Sequence, residues 1–419
     1  LNRTIDESVT EPDSQSIDLK SKRYSVRMPQ PQPRRDFLLR ALPALAAAGG
    51  AATAGAIDFA FPSLFKRNGD GLEEVEQAPC GPGGLAITPS GDYIISCHQF
   101  FNPTYSVLRL NRDGIWEPFP NLELNTPGSG NPLALDAVLG IACDAQGIVW
   151  MLDNGRRYGS APKLIGWDTT KGKTGALHQS ISLVAPTLLR TSFVRSLAIN
   201  PEAPFIYITD PASGPDAALI VVERTTGLTR RVLQGHSSVQ PDTNVGLQLD
   251  GKAVEAVSAD GRTVKPLAGV NLITLDRKGQ WLYFGPMYGG TLYRVETRFL
   301  HDPSLSGVQL ASKVQSFSVK PVCDSIAIDV KGNVYFGDIA GNAISYTSPE
   351  DNYLTVHPLI QDGRLIWPGG LTFGTDGKLH FFSNQLHRTP IYNGGKDVTA
   401  PPFEIFRVKP LPGKGLWPK

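Results

Sequence analysis

Residues 84–96 read GLAITPSGDYIIS, and the same pattern returns five times: GIACDAQGIVWML (140–152), SLAINPEAPFIYIT (196–209), NLITLDRKGQWLYF (271–284), SIAIDVKGNVYF (325–336) and GLTFGTDGKLHFF (370–382). Each copy is an apolar run, a tight turn and a second apolar run. Five turns carry glycine, as Ser90-Gly91, Gln146-Gly147, Lys278-Gly279, Lys331-Gly332 and Asp376-Gly377, while the third copy uses Pro-Glu-Ala-Pro. Val, Ile, Tyr and Phe flanking such turns predict β-hairpins. The copies restart at Leu85, Ile141, Leu197, Leu272, Ile326 and Leu371, at intervals of 56, 56, 75, 54 and 45 residues. Most hairpins are followed by an outer strand such as YSVLRLNRDG, PKLIGWDTTKG, AALIVVERTTG or GTLYRVET. A strand–turn–strand–loop–strand unit at this period is a propeller blade. The sequence therefore predicts an all-β, single-domain six-bladed β-propeller over 72–419. The first run of each copy is apolar without alternation, as expected of an inner strand covered on both faces. LEEVEQ (72–77) and FEIFRV (403–408) flank the repeats, and pairing them would close the ring and cover both edges. The longest interval marks an insertion at 234–268, expected to lie as a flap over one face.

Composition agrees. The 419 residues include 43 Gly and 34 Pro, are 41 % apolar and only 19 % charged, and carry a formal charge of +1. That is too little charge for a disordered or coiled-coil chain and no basic excess for nucleic acid. No Gly-x-Ser-x-Gly elbow, phosphate loop or dinucleotide fingerprint stands in a strand–helix context. Residues 1–27 are polar without apolar period and are expected to be disordered. The first Met is Met28, a candidate start that would leave 1–27 untranslated. From there Arg34-Arg35-Asp36-Phe37-Leu38-Leu39 leads into an Ala/Leu/Gly-rich run ending at Ala54-Gly55-Ala56. A twin arginine, a modest apolar run and a small-x-small site over 28–56 predict a twin-arginine export signal and a secreted or periplasmic protein. Pro43 and the glycines make the run too short for a membrane span. Residues 57–71 read as a linker, and the exported chain is expected to be a monomer without a span. Of four cysteines, Cys143 reads as a buried thiol, and Cys80 and Cys97 are near enough in sequence to form a disulfide or remain free.

In each blade the first strand begins and the second ends at one mouth of the channel. Residues at those points are His98, Asp153, Asn154, Arg195, Asp210, Asn271, Asp324, Asp338 and Asn384, interleaved with Phe100, Phe101, Phe193, Tyr288 and Trp367. Four carboxylates among aromatic faces suit a small polar or aromatic ligand, cationic amines included. Asp153, Asp210 and Asp338 have an equally plain reading as turn caps. Arg195 has one as the partner of a ring carboxylate. His98 is either a strand-end histidine or a proton-transfer group. His236 and His387 read as loop residues at the surface.

The stretches GVNLITLDRKGQWLYFGPMYGGTLYRV (269–295), KPVCDSIAIDVKGNVYFGD (320–338), RLIWPGGLTFGTDGKLHFFSNQLHR (364–388), PPFEIFRVKP (401–410), SCHQFFNP (96–103) and RRVLQGHSSVQPD (230–242) resemble the royal jelly/yellow protein family in its bacterial branch. The resemblance covers nearly all of 72–410. It implies a secreted six-bladed propeller. In the insect branch some members bind biogenic amines in the funnel, and some are linked to dopachrome conversion. A remoter resemblance to gluconolactonase- and paraoxonase-type propellers implies a divalent cation, usually Ca²⁺, held on the axis by Glu, Asn and Asp. Asn271 and Asp324 fall at two such positions, but Gly83-Gly84 and Arg195-Ser196 stand where a Glu and an Asn are wanted. The leading expectation is a funnel that binds a small polar or aromatic molecule through Phe101, Asp153, Asn154, Arg195, Asp210, Asn271, Asp324, Asp338 and Asn384. The alternative is a metal-dependent lactonase-like hydrolase or dopachrome-type isomerase with His98 and Asp324 catalytic and Asn271 and Asp324 on Ca²⁺. A protein-interaction scaffold is the third class.

Overall fold

The computed structural model describes residues 71–212, 214–258 and 261–412. The expected export signal, the segment before it and nearly all of the linker lie outside these residues. Each hairpin grows into a four-stranded antiparallel sheet, and six such sheets form the predicted six-bladed β-propeller. Blade 1 is Pro82–Ile87, Tyr93–Cys97, Val107–Leu110 and Trp116–Pro118. Blade 2 is Val138–Cys143, Ile148–Asp153, Lys163–Asp168 and Ala176–Ser182. Blade 3 is Leu197–Ile199, Phe205–Asp210, Ala218–Glu223 and Thr229–Val232, and blade 4 is Val270–Leu275, Trp281–Pro286, Thr291–Glu296 and Gln315–Val319. Blade 5 is Cys323–Ile328, Val334–Asp338, Ala343–Thr347 and His357–Gln361. Blade 6 is Pro368–Phe373, Leu379–Ser383 and Phe403–Val408, completed by the N-terminal Glu73–Ala78.

The turn chemistry explains the hairpins. The five turn glycines have φ between +62° and +88°, a region that residues with a Cβ rarely enter. The third turn needs no glycine because Asn200 Oδ1 accepts from the Glu202 and Ala203 amides at 3.0 and 2.9 Å, an Asx turn.

The absence of apolar alternation also has a structural cause. A separate hydrophobic cluster fills each blade–blade interface. Along one strand, successive side chains enter opposite clusters. Val149 and Met151 face blade 1, whereas Ile148, Trp150 and Leu152 face blade 3. Both faces of every blade are thus mostly apolar core, and the few polar residues buried there, such as Ser96 and His380, bond across the interface.

Closure follows the expected pairing. Glu73–Ala78 lies antiparallel to Phe403–Val408 with one register shift, and Glu73 bonds Lys378 Nζ at 2.5 Å and Arg407 Nε at 2.7 Å. Two residues beyond that strand, Cys80 is disulfide-bonded to Cys97 at the end of the second strand of blade 1. The closing strand is therefore tied covalently to the next blade. Cys143 is half-buried and Cys323 fully buried, and burial pushes both free thiols up to about 12.

The disulfide spans 17 residues, a loop for which cross-linking contributes about 3 kcal/mol. Cys80→Ser is expected to lower the free energy of urea unfolding by about that amount relative to the oxidised protein. An unchanged midpoint would show that strand pairing alone closes the ring. Neighbouring inner strands also touch through glycine: a Cβ on Gly140 would lie 2.6 Å from the Arg195 carbonyl. Gly140→Ala is expected to cost about 1–3 kcal/mol. Gly290→Ala, which meets nothing within 4 Å, should stay within about 0.5 kcal/mol in the same assay.

Candidate functional site: a carboxylate-centred plate at the channel mouth

Five of the six inner strands slip register near their start, between Pro82 and Gly84, Val138 and Ile141, Val270 and Leu272, Cys323 and Ile326, and Gly369 and Thr372. In blade 3 the equivalent irregularity is made by Thr209, whose carbonyl takes the Arg195 amide at 3.1 Å and whose hydroxyl takes the Ser196 amide at 3.0 Å. A bulge frees residues from the ladder and re-aims their side chains. Here the re-aimed positions, Gly83, Gly140, Arg195, Asn271, Asp324 and Gly370, line one axial cavity of about 90 Å³. Three are glycines without a side chain. The other three, Arg195, Asn271 and Asp324, supply the chemistry.

Asp324 is the centre. Arg195 Nη2 donates to its Oδ1 at 2.6 Å and its Oδ2 at 2.8 Å. Asn271 Nδ2 donates to Oδ1 at 2.6 Å, and Trp367 Nε1 donates to Oδ2 at 3.0 Å. A carboxylate offers about four lone-pair sites, so this one is full. The three expected residues Arg195, Asn271 and Asp324 do meet, joined by Trp367. Trp367 holds its backbone at φ +59°, a conformation that is strained for a bulky residue.

This geometry does not suit Asp324 in the expected catalytic role, since it is not a free base, or Asn271 and Asp324 as Ca²⁺ ligands. A base needs an open lone pair. Ca²⁺ takes about 6–8 oxygens, whereas the plate leaves one side-chain oxygen open, Asn271 Oδ1, beside a guanidinium. Among the described residues no cluster of three or more His, Cys, Asp or Glu could hold a metal.

Most of the remaining ring is engaged in holding the mouth together. Asp153 accepts from the Asp136, Ala137 and Gly155 amides and from Lys163 Nζ at 3.0 Å. Asp210 accepts from the Phe193 and Ala212 amides and from Arg231 Nη1 at 2.7 Å. Asp338 accepts from the Gly341 amide and Ser345 Oγ, and burial raises its pKa. Asn384 bridges to the Pro82 carbonyl at 3.0 Å, and Asn154 bridges to Gln99 Oε1 at 2.8 Å. Phe101 packs edge-on against Phe403, and its ring excludes a Cβ at Gly81. The turn-cap reading therefore describes the three aspartates better than a ligand-facing one.

His98 is buried and caps a short turn, Nδ1 accepting from the Phe100 amide at 3.2 Å. Burial, reinforced by the Arg195 charge, holds its pKa well below the usual value. The ring is neutral with its proton on Nε2, which meets no hydrogen-bond partner among the described residues.

Around these groups stands an aromatic wall. Phe100 contacts His98, Phe193 and Tyr392; Tyr392 and His387 stack on Trp367 at 6.2 and 5.9 Å. Tyr288 and Trp367 share a cluster with Leu247, Val254 and Leu267 of the insertion. Within 234–268 two ribbons, Gln248–Leu249 with Lys252–Ala253 and Ala256–Val257 with Thr263–Val264, cover the mouth. Asp250 fastens them to His387 Nε2 at 3.0 Å and Arg388 Nη2 at 3.1 Å. His387 is thus buried under the insertion, not at the surface. Tyr392 and Lys320 were not foreseen from the sequence. Lys320 Nζ donates to the Met287, Gly289 and Pro321 carbonyls and so fixes the loop that carries Tyr288. Trp367, placed by the sequence among the aromatics of the mouth, is the third partner of Asp324.

No helix among the described residues is long and apolar enough to cross a membrane. Solved structures similar to the chain include a gluconolactonase from Xanthomonas campestris (15 % identity, 82 % of this chain and 91 % of that one, TM-score 0.49). Others are a virginiamycin B lyase from Staphylococcus aureus (16 %, 81 % and 99 %, 0.44) and the calcium-binding protein regucalcin from Agrobacterium tumefaciens (13 %, 80 % and 93 %, 0.46). No curated protein matches the sequence. Residues 137–407 match the family described as Major royal jelly protein, more than half of the chain, and the protein belongs to that family.

Proposed function

We propose that this is an exported, monomeric propeller that binds a small polar or aromatic molecule at the mouth of its central funnel. The observation that carries the reading is a set of unmet polar atoms on residues of the mouth, beside an aromatic wall. Asn271 Oδ1, Gln99 Nε2 and His387 Nδ1 are buried without a partner among the described residues. Asn271 lines the axial cavity, Gln99 accepts from Asn154 of the mouth, and His387 stacks on Trp367, whose indole bonds Asp324. Buried polar atoms are rarely left unpaired, and a group of them at a cleft points to a missing partner. The metal-dependent lactonase reading lacks its ligand set, because the donors around Asp324 occupy the positions a cation would need. Export is supported by Arg34-Arg35 and by the Cys80–Cys97 disulfide, a bond that persists in oxidising compartments.

Binding is tested by titrating the purified protein with a panel of aromatic and polar small molecules while following tryptophan emission. A saturable change that Trp367→Phe abolishes is expected. A panel without any saturable response would sink the reading. Affinity should be flat from about pH 6 to 8, since a neutral His98 does not titrate there. Stability behaves differently: below about pH 6.5 the unfolded chain binds a proton that folded His98 refuses, so stability falls as pH falls. His98→Gln should flatten part of that slope in pH-dependent urea melts. Arg195→Met leaves the buried Asp324 charge uncompensated and should cost about 3–5 kcal/mol. A double change with Asp324→Leu should recover part of that loss in the same melts. Replacing Arg34-Arg35 by lysines should retain the protein in the cytoplasm, as read by cell fractionation. Unaltered export would remove the twin-arginine assignment.

A further inference from the structure

We infer that the funnel selects an uncharged, hydroxylated aromatic molecule over its amine and carboxylate counterparts. This rests on the funnel-binding reading above. A cationic ligand needs an open carboxylate, and among the described residues the carboxylates of the mouth already hold partners, Asp338 and Asp250 fewer than the rest. Asp324 holds four hydrogen bonds. Asp153 is paired with Lys163 and Asp210 with Arg231, and both are completed by backbone amides. Asp250 is bound by His387 and Arg388, and Asp338 by Gly341 and Ser345. An anionic ligand meets a similar obstacle. Arg195 is bonded to Asp324, and Lys320 donates to three carbonyls. A charge brought into this mouth would lose its water and would have to compete with the partners these groups already hold.

The open groups are neutral and of both kinds. Gln99 Nε2 and His98 Nε2 are donors. Asn271 Oδ1 is an acceptor, as is His387 Nδ1, because His387 Nε2 faces the Asp250 carboxylate. The Tyr288 and Tyr392 hydroxyls meet no partner among the described residues, and burial keeps both phenols protonated. Each can donate or accept. Trp367, Phe100 and Tyr392 supply flat faces around them. A planar ring bearing hydroxyls answers this set, offering donor and acceptor in each group at no cost in charge.

Three probes that share one ring isolate the charge: 4-hydroxyphenethyl alcohol, tyramine and 4-hydroxyphenylacetate, titrated calorimetrically into the full-length protein at low ionic strength. The alcohol should bind at least about tenfold more tightly than either charged analogue. Tyr392→Phe and Gln99→Leu should each weaken it several-fold. Tyramine binding as tightly as the alcohol would overturn the inference by revealing an available carboxylate. The acetate doing so would overturn it by revealing an available cation. If none of the three binds but the wider panel yields a Trp367-dependent ligand, the inference fails and the funnel reading stands. If alcohol binding is indifferent to both substitutions, the ligand sits elsewhere and both fail.

Discussion

The Asp324 carboxylate is the joint on which the mouth of this propeller depends. It sits in blade 5 and takes hydrogen bonds from Arg195 of blade 3, Asn271 of blade 4 and Trp367 at the start of blade 6. Blades in such a ring otherwise contact their two neighbours through apolar clusters, which fix spacing but discriminate poorly between small rotations. A four-bonded carboxylate is directional. It sets the relative height of four blades at the one place where their strands converge. The strained backbone of Trp367 is intelligible in this light, because its indole must reach Oδ2 while its chain turns into Pro368.

Such a joint carries a cost. Burying an ion pair yields little net stability, since desolvation offsets most of the attraction. The molecule accepts that cost repeatedly at the same end: Lys163 with Asp153, Arg231 with Asp210 and Arg195 with Asp324 are all largely buried. Each carboxylate stands at the end of a second strand or the start of a first, and each also gathers side-chain or backbone N–H donors. The pairs act as corner fittings that terminate strands and bind the connecting loops. Their number explains why a ring that reads as acidic presents little free charge.

The repeat, the blade count and the ring closure were legible because they depend on turn chemistry and on runs of apolar residues, both local properties. Gly91, Gly147, Gly279, Gly332 and Gly377 mark the turns that the structure places there. The site was legible by position only. Arg195, Asn271 and Asp324 were placed at the mouth from their offsets to the inner strands, and they meet there. What each does was not legible, because it depends on contacts between blades more than 40 residues apart: 129 residues separate Arg195 from Asp324 and 43 separate Asp324 from Trp367. The register slips that aim these side chains leave no consistent sequence mark. Asp153 and Asp324 look alike in the chain, yet one is held by three amides and a lysine and the other by an arginine, an amide side chain and an indole.

The same contrast bears on how one architecture can change its chemistry. The axial position where six inner strands converge is a natural place for a cation, since oxygen ligands can reach it from every blade. In this chain the third blade contributes a guanidinium instead. A guanidinium is a fixed, planar cation that needs no uptake from solution and cannot be lost to a chelator. It satisfies the axial carboxylate permanently and removes it from acid–base work. Among the described residues, the polar groups of the mouth that remain open are Asn271 Oδ1 at the axis and, in the wall and the loops beneath the insertion, His98, Gln99, Tyr288, Tyr392 and His387. With an arginine in that place, the neutral hydrogen-bonding groups and ring faces around the axis are the surface on which the proposed binding rests.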